Sequence, residues 1–127
     1  MDDDSAEASG GTAYGLNAYS DMTDGKTLAS LDRVMTEMAE WIKTAAGCFL
    51  GHIKMAVTAD DSSMTLNLTD IGADVEHHGS LKEGVRMDIR FMVAVVDVDR
   101  DELAGRMRDA LAANGFKIKN KKIIELR

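Results

Sequence analysis

Cysteine is almost missing from this chain. Cys48 stands alone, so no disulfide can form within it, and nothing points to a secreted, disulfide-stapled domain. Aromatic residues are also few, 5% of the total, which weighs against the stacking platforms on which proteins hold single-stranded nucleic acid. No apolar run approaches the ~18 residues of a membrane-spanning helix. The start of the sequence carries Asp2, Asp3 and Asp4 where a secretory leader would need a positive segment and then an apolar run. These absences predict a cytoplasmic protein that does not enter a membrane.

Bases are absent from the stretch Met1 to Asp24, which holds six acids: Asp2, Asp3, Asp4, Glu7, Asp21 and Asp24. Taking those from the total of 22 leaves 16 acids against all 15 bases. The net charge of −7 therefore belongs to the N-terminal stretch, and the remainder is nearly neutral. The other end is basic, with Lys117, Lys119, Lys121, Lys122 and Arg127 against Glu125. Composition otherwise fits one globular domain: 127 residues, 45% hydrophobic and 29% charged. Nine methionines predict a soft, adaptable core.

Residues 1–23 mix Asp, Ser, Ala, Gly and Thr and read as a flexible acidic tail, in which Tyr14, Leu16 and Tyr19 could form one short edge strand. A single α+β domain is expected over 24–127. It opens with a helix from about Asp24 to Ala46, where Leu28, Leu31, Met35, Met38, Ile42 and Ala45 make one apolar stripe and Gly47 makes the stop. Period-two alternation through Ile53, Met55 and Val57, and again through Met64, Leu66 and Leu68, predicts an antiparallel hairpin turning at residues 60–63. Residues 70–84 read as a long loop, a length that compact domains seldom keep without a use. A strand follows over about 85–98, apolar on both faces in its second half.

Asp99 then caps a second helix, with Glu102 placed to close a capping box and Val98 and Leu103 to make a hydrophobic staple. Gly115 ends it, and a last strand runs from Phe116 to about Leu126. The element order is α-β-β-β-α-β. It predicts a two-layer sandwich: a four-stranded, mostly antiparallel sheet with both helices on one face, an antiparallel meander first and a parallel strand–helix–strand crossover last.

That layering leaves one sheet face open. His52, Lys54, Asn67, Arg86, Asp88 and Arg90 fall on it by parity, and an apolar patch near Met92 and Val96 beside these polar positions marks a partner surface. Self-association as a homodimer is the expected cover, with a protein partner or a small ligand as the other occupants. A transition metal such as zinc is the sharper chemical alternative, held by His52 with His77 or His78. Cys48 shares the parity of His52 but lies ~13 Å along an extended strand from it, so only a bulge at Gly51 could bring the two onto one ion. Lys54, Arg86, Arg90 and the Lys117–Lys122 series could line a phosphate-binding surface, yet no ring is expected on the open face, which argues against nucleic acid.

Catalytic patterns are thin. The glycines around Cys48 lack the Lys-Ser/Thr of a phosphate loop, and the adjacent pair Glu76 and His77 offers only an isolated acid–base couple. No cofactor is implied. The sequence reads as a non-catalytic accessory or regulatory binding module that acts through its open sheet face and the 70–84 loop, with an acidic tail able to fold over the basic surface.

Overall fold

Tyr14, Leu16 and Ala18 alternate with Ala13, Gly15 and Asn17, and this period of two makes Gly11–Ser20 a strand, β1. The structure, a computed structural model, describes residues 11–47, 51–69 and 74–119. After β1 come helix α1 (Gly25–Ala46), β2 (Gly51–Ala59), β3 (Ser62–Leu68), β4 (Glu76–Ser80), β5 (Met87–Val96), helix α2 (Arg100–Ala113) and β6 (Lys117–Ile118). The protein is thus α+β, with two helices and one six-stranded sheet of order β4-β3-β2-β5-β1-β6 among the described residues. Every strand pair is antiparallel.

Both helices begin as their caps dictate. At α1 the Asp24 carboxylate accepts from the Thr27 amide at 2.9 Å, and the Thr27 hydroxyl accepts from the Asp24 amide at 2.8 Å. Gly47, at φ 84°, closes its far end. At α2 the Asp99 carboxylate accepts from the Glu102 amide at 3.0 Å. The Glu102 side chain gives no return bond among the described residues, so only half of the expected box is present. The C-terminus of α2 is a Schellman motif: Phe116 donates to Leu111 and Gly115 to Ala112, with Gly115 at φ 90°.

The core lies between the sheet and both helices. Ile53, Met55 and Val57 of β2, Met64 and Leu66 of β3, and Met87, Ile89, Phe91, Val93 and Val95 of β5 meet Leu31, Met35, Met38 and Ile42 of α1 and Leu103 and Met107 of α2 in one buried cluster. Helix α1 packs over β2 and β3, and α2 over β1 and β6. Six methionines (Met35, Met38, Met55, Met64, Met87 and Met107) are buried, so methionine fills the core as its abundance predicted. Ala45, expected in the stripe of α1, is exposed.

Four expectations need correction. Residues 11–20, read as tail, form the longest run of sheet pairing: β1 bonds β5 over its whole length. The adjoining loop is fixed as well, by Thr23, fully buried, whose hydroxyl donates to the Val85 carbonyl at 2.7 Å. The polar composition of this stretch hid the strand, because Tyr14, Leu16 and Ala18 are the only apolar residues on its helical side. Second, the sheet has six strands and not four. Third, the expected parallel crossover from β5 through α2 to β6 is present but split: the two strands run in the same direction, while β1 inserts between them and takes the hydrogen bonds of β6. Fourth, the meander fails: after β3 the chain adds β4 inside the supposed 70–84 loop, and β5 returns to pair with β2. The β2–β3 hairpin holds, turning through Asp60 at φ 60°. Cys48, residues 70–73 and the last strand beyond residue 119 lie outside the described residues.

The result has an internal logic. β1-α1-β2 and β5-α2-β6 each join two strands of the same direction with a strand of the other unit between them. These are two interlocked split β-α-β units, widened on one side by β3 and β4. No helix among the described residues is long and apolar enough to cross a membrane.

Candidate functional site on the open sheet face

Since the helices take the odd-numbered side of β2 and β5 and the even-numbered side of β1 and β3, the opposite parities form a face that no described helix covers. Strand register sets its rows. One row runs Glu76, Asn67, Lys54, Met92, Gly15. The next runs His78, Thr65, Ala56, Arg90, Asn17. A third runs Ser80, Ser63, Thr58, Asp88, Tyr19 and reaches Lys117 on β6. At the other end, His52, Ala94 and Ala13 lie side by side. All six residues assigned to this face by parity (His52, Lys54, Asn67, Arg86, Asp88 and Arg90) are on it.

The face has two different halves. Toward β6 its charges are paired. Asp88 accepts from Lys119 at 2.9 Å and from Arg86 at 3.3 Å. Lys119, then Arg86, hold the Asp88 carboxyl below the usual carboxylate range, against the opposing effect of its partial burial. Arg86 lies over the Tyr19 ring, 4.0 Å from its centroid. Lys117 pairs with Asp21 at 3.1 Å, and that bond holds the ammonium above its usual range. Tyr19 corrects the expectation that this face carries no ring, although the guanidinium of Arg86 already occupies its surface.

Toward β2 the face is different. Lys54 and Arg90 occupy neighbouring rows of adjacent strands, and neither makes an ion pair or side-chain hydrogen bond with another described residue. Lys54 helps to line a hollow of about 190 Å³ with Ala13, Gly15, His52, Met92 and Ala94, and Arg90 lies a row away from it. Its floor is low because β1 and β5 place Ala13, Gly15 and Ala94 there. His52 is tied to Asn67 at 3.2 Å, which fixes the imidazole at the rim. Across the face, among the described residues, Lys54, Arg86, Arg90, Lys117 and Lys119 meet only Asp88 and Glu76, with Asp21 reaching in from the β1–α1 loop. The chemistry on offer is cationic recognition next to an apolar recess.

The histidine set is not brought together. His77 pairs with Leu66 and so points to the helical side, where its ring meets Asp32 of α1 at 2.7 Å. His78 and Glu76 face the open side, so the expected Glu76–His77 couple is split across the sheet. His78 aligns with Thr65 and Ala56, two strands and four residues from His52, a separation of about 16 Å at ordinary strand spacings. Among the described residues no group of three or more His, Cys, Asp or Glu side chains is placed to hold a metal ion.

Sequence reasoning missed Ala13, Gly15 and Ala94 as elements of the site. The alternation of Tyr14, Leu16 and Ala18 was the signal available for β1; nothing local could have set Gly15 beside Met92. Compared with models of known protein families, with curated proteins and with solved structures, the chain matches none of them.

Proposed function

We propose that the protein is a non-catalytic binding module whose open sheet face takes a ligand or partner segment with an anionic group and a small apolar part. The anion sits against Lys54 and Arg90, and the apolar part enters the recess over Gly15 and Ala94. One observation carries this reading: Lys54, without a carboxylate partner among the described residues, lines a recess floored by small residues, and Arg90, equally unpartnered among them, stands in the next row of the adjacent strand. Charges left unpaired on a sheet face are of little use to stability, but they are ready to bond an incoming carboxylate, sulfonate or phosphate. Location in the cytoplasm belongs to the same proposal.

The test uses 2-naphthalenesulfonate, a flat apolar anion, titrated into the ¹⁵N-labelled chain. Amide shifts should gather at Gly15, His52, Lys54, Arg90 and Met92. The paired change Lys54→Ala and Arg90→Ala should weaken binding about thirtyfold, since each charge-assisted bond at such a surface contributes on the order of 1 kcal/mol. Gly15→Val should block the recess while leaving the cations in place. Shifts that map elsewhere, or binding indifferent to all three changes, would overturn the reading. A native mass spectrum adds the competing outcome: a dimer that persists in excess probe would assign the face to self-association.

A further inference from the structure

The segment that precedes β1 carries four acids, Asp2, Asp3, Asp4 and Glu7, and no lysine or arginine. It joins the sheet at Gly11, which pairs with Val96 at the end of the open face nearest the recess. From this placement we infer that residues 2–7 dock on the open face and compete there with the anionic partner. The inference rests on the binding reading above, and it adds an occupant that the chain itself supplies.

Charge and reach both select this occupant. The described part of the face presents Lys54 and Arg90 without partners, while the cations toward β6 already hold Asp88 and Asp21. Reach follows from the register. Gly11 aligns with Val96, Lys54 aligns with Met92 two strands away, and Arg90 lies six residues along β5 from Val96. At ~3.3 Å per residue and ~4.8 Å between strands, Lys54 is about 16 Å and Arg90 about 20 Å from Gly11. Glu7, four residues before Gly11, can extend about 13 Å, and Asp4, seven before it, about 23 Å. The triplet of aspartates thus matches the more distant Arg90, and Glu7 falls short of Lys54 by about one side-chain length. Tethering makes the encounter intramolecular, so a weak intrinsic attraction suffices.

The consequence is a graded block. If the segment occupies the face about 70–90% of the time, an external anion binds about three- to tenfold more weakly than to an unoccupied face. Because the contact is electrostatic and exposed, raised ionic strength should release it.

The experiment places a spin label at residue 5 of the full chain (Ser5→Cys with Cys48→Ser) and reads paramagnetic broadening of backbone amides. Docking predicts broadening at His52, Lys54, Arg90 and Met92. The broadening should vanish when Asp2, Asp3 and Asp4 become Asn and Glu7 becomes Gln. It should vanish again at about 0.5 M salt, an ionic strength at which the screening length is down to about 4 Å. Broadening centred on the helical side, at Leu103 or Arg106, or spread evenly, overturns the inference. The neutralised chain should also bind 2-naphthalenesulfonate three- to tenfold more tightly. A probe that binds both chains equally sinks the competition, whereas a probe that binds neither sinks the parent reading and leaves the spin label to decide the docking.

Discussion

Gly51 opens β2, the strand that carries His52 and Lys54, and its replacement by alanine tests the register of the whole site. Gly51 pairs with Val95 at φ 153°. A Cβ there would collide with the Ala94 carbonyl oxygen and lie 2.7 Å from Val95 Cγ1 and 2.8 Å from Val95 Cα. Two of those three atoms are backbone, so no side-chain rotation relieves the clash, and the start of β2 must move off β5. Overpacking of this kind costs about 1–3 kcal/mol. Loss of one or two strand hydrogen bonds adds about 1 kcal/mol each, while fraying at the strand start limits the total to about 2–3 kcal/mol. For a domain of this size that is a fall in Tm of roughly 8–12 °C. The control is Gly25→Ala at the first position of α1, where a Cβ meets nothing within 4 Å. That change should stabilise by about 0.4–1 kcal/mol through the unfolded chain. Urea unfolding followed by helical circular dichroism gives both values, and m should not change. Neutral surface changes stay within about 0.5 kcal/mol of the unmodified protein. If Gly51→Ala falls inside that range, the close approach of β2 and β5 is refuted, and with it the placement of Lys54 near Arg90.

Asp88 gives a pH-dependent prediction. Its carboxyl is depressed in the folded state, so its stabilising effect is fully present above the unfolded value near 3.9 and is lost as pH falls through the folded one. Asp88→Asn should therefore destabilise at pH 6 by less than about 1 kcal/mol, because the pair is partly exposed and screened, and the gap to the unmodified protein should narrow steadily as pH falls from about 6 to below the unfolded value. A gap of constant size in urea midpoints across that range would assign the effect to packing. The His77–Asp32 contact, with both side chains 43% exposed, ties edge strand β4 to α1. A double-mutant cycle of His77→Ala and Asp32→Ala should give a coupling of about 0.2–1 kcal/mol that shrinks in salt, and a coupling of zero at low salt would detach β4 from the helical layer.

Much of this fold is legible locally. Asp24 and Asp99 mark both helix starts because a carboxylate at the N-cap meets an amide that the helix leaves unbonded, and Gly47 and Gly115 mark the stops. The β2–β3 hairpin is equally local, set by alternation on both sides of residues 60–63. What escaped the sequence is long-range. β1 looks like tail because Gly11, Gly15, Asn17 and Ser20 interrupt its apolar pattern. Its burial depends on β5, whose residues stand far along the chain: Gly11 meets Val96, and Ser20 meets Met87. β4 is exposed along its whole length, so it has no hydrophobic pattern to betray it. The site inherits this difficulty. Lys54 and Arg90 belong to separate stretches of the chain and become neighbours only because Ala56 registers with Arg90.

The recess itself raises a question of cost, and Gly15 answers it. Glycine weakens a strand interior by roughly 0.5–1 kcal/mol relative to alanine, so its presence at mid-strand calls for a cause. Backbone conformation is not the cause, since Gly15 is not among the glycines of positive φ. Crowding is not the cause either: a Cβ would lie 3.6 Å from Met92 Cγ and 3.7 Å from the Phe91 carbonyl oxygen, ordinary contacts. Alanine would fit there, and a larger β-former would cover apolar surface that now meets solvent. What glycine does at this position is keep the floor low between Ala13, Met92 and Ala94. A side chain omitted where neither geometry nor packing requires it is a feature that folding does not explain and that fits the ligand access proposed above. Lys54, unpartnered among the described residues, lines that same depression, and Arg90, also unpartnered among them, stands one row away. The departures from a stability-optimised sheet thus coincide in one place, and this coincidence is the strongest physical reason to look for a bound anion there.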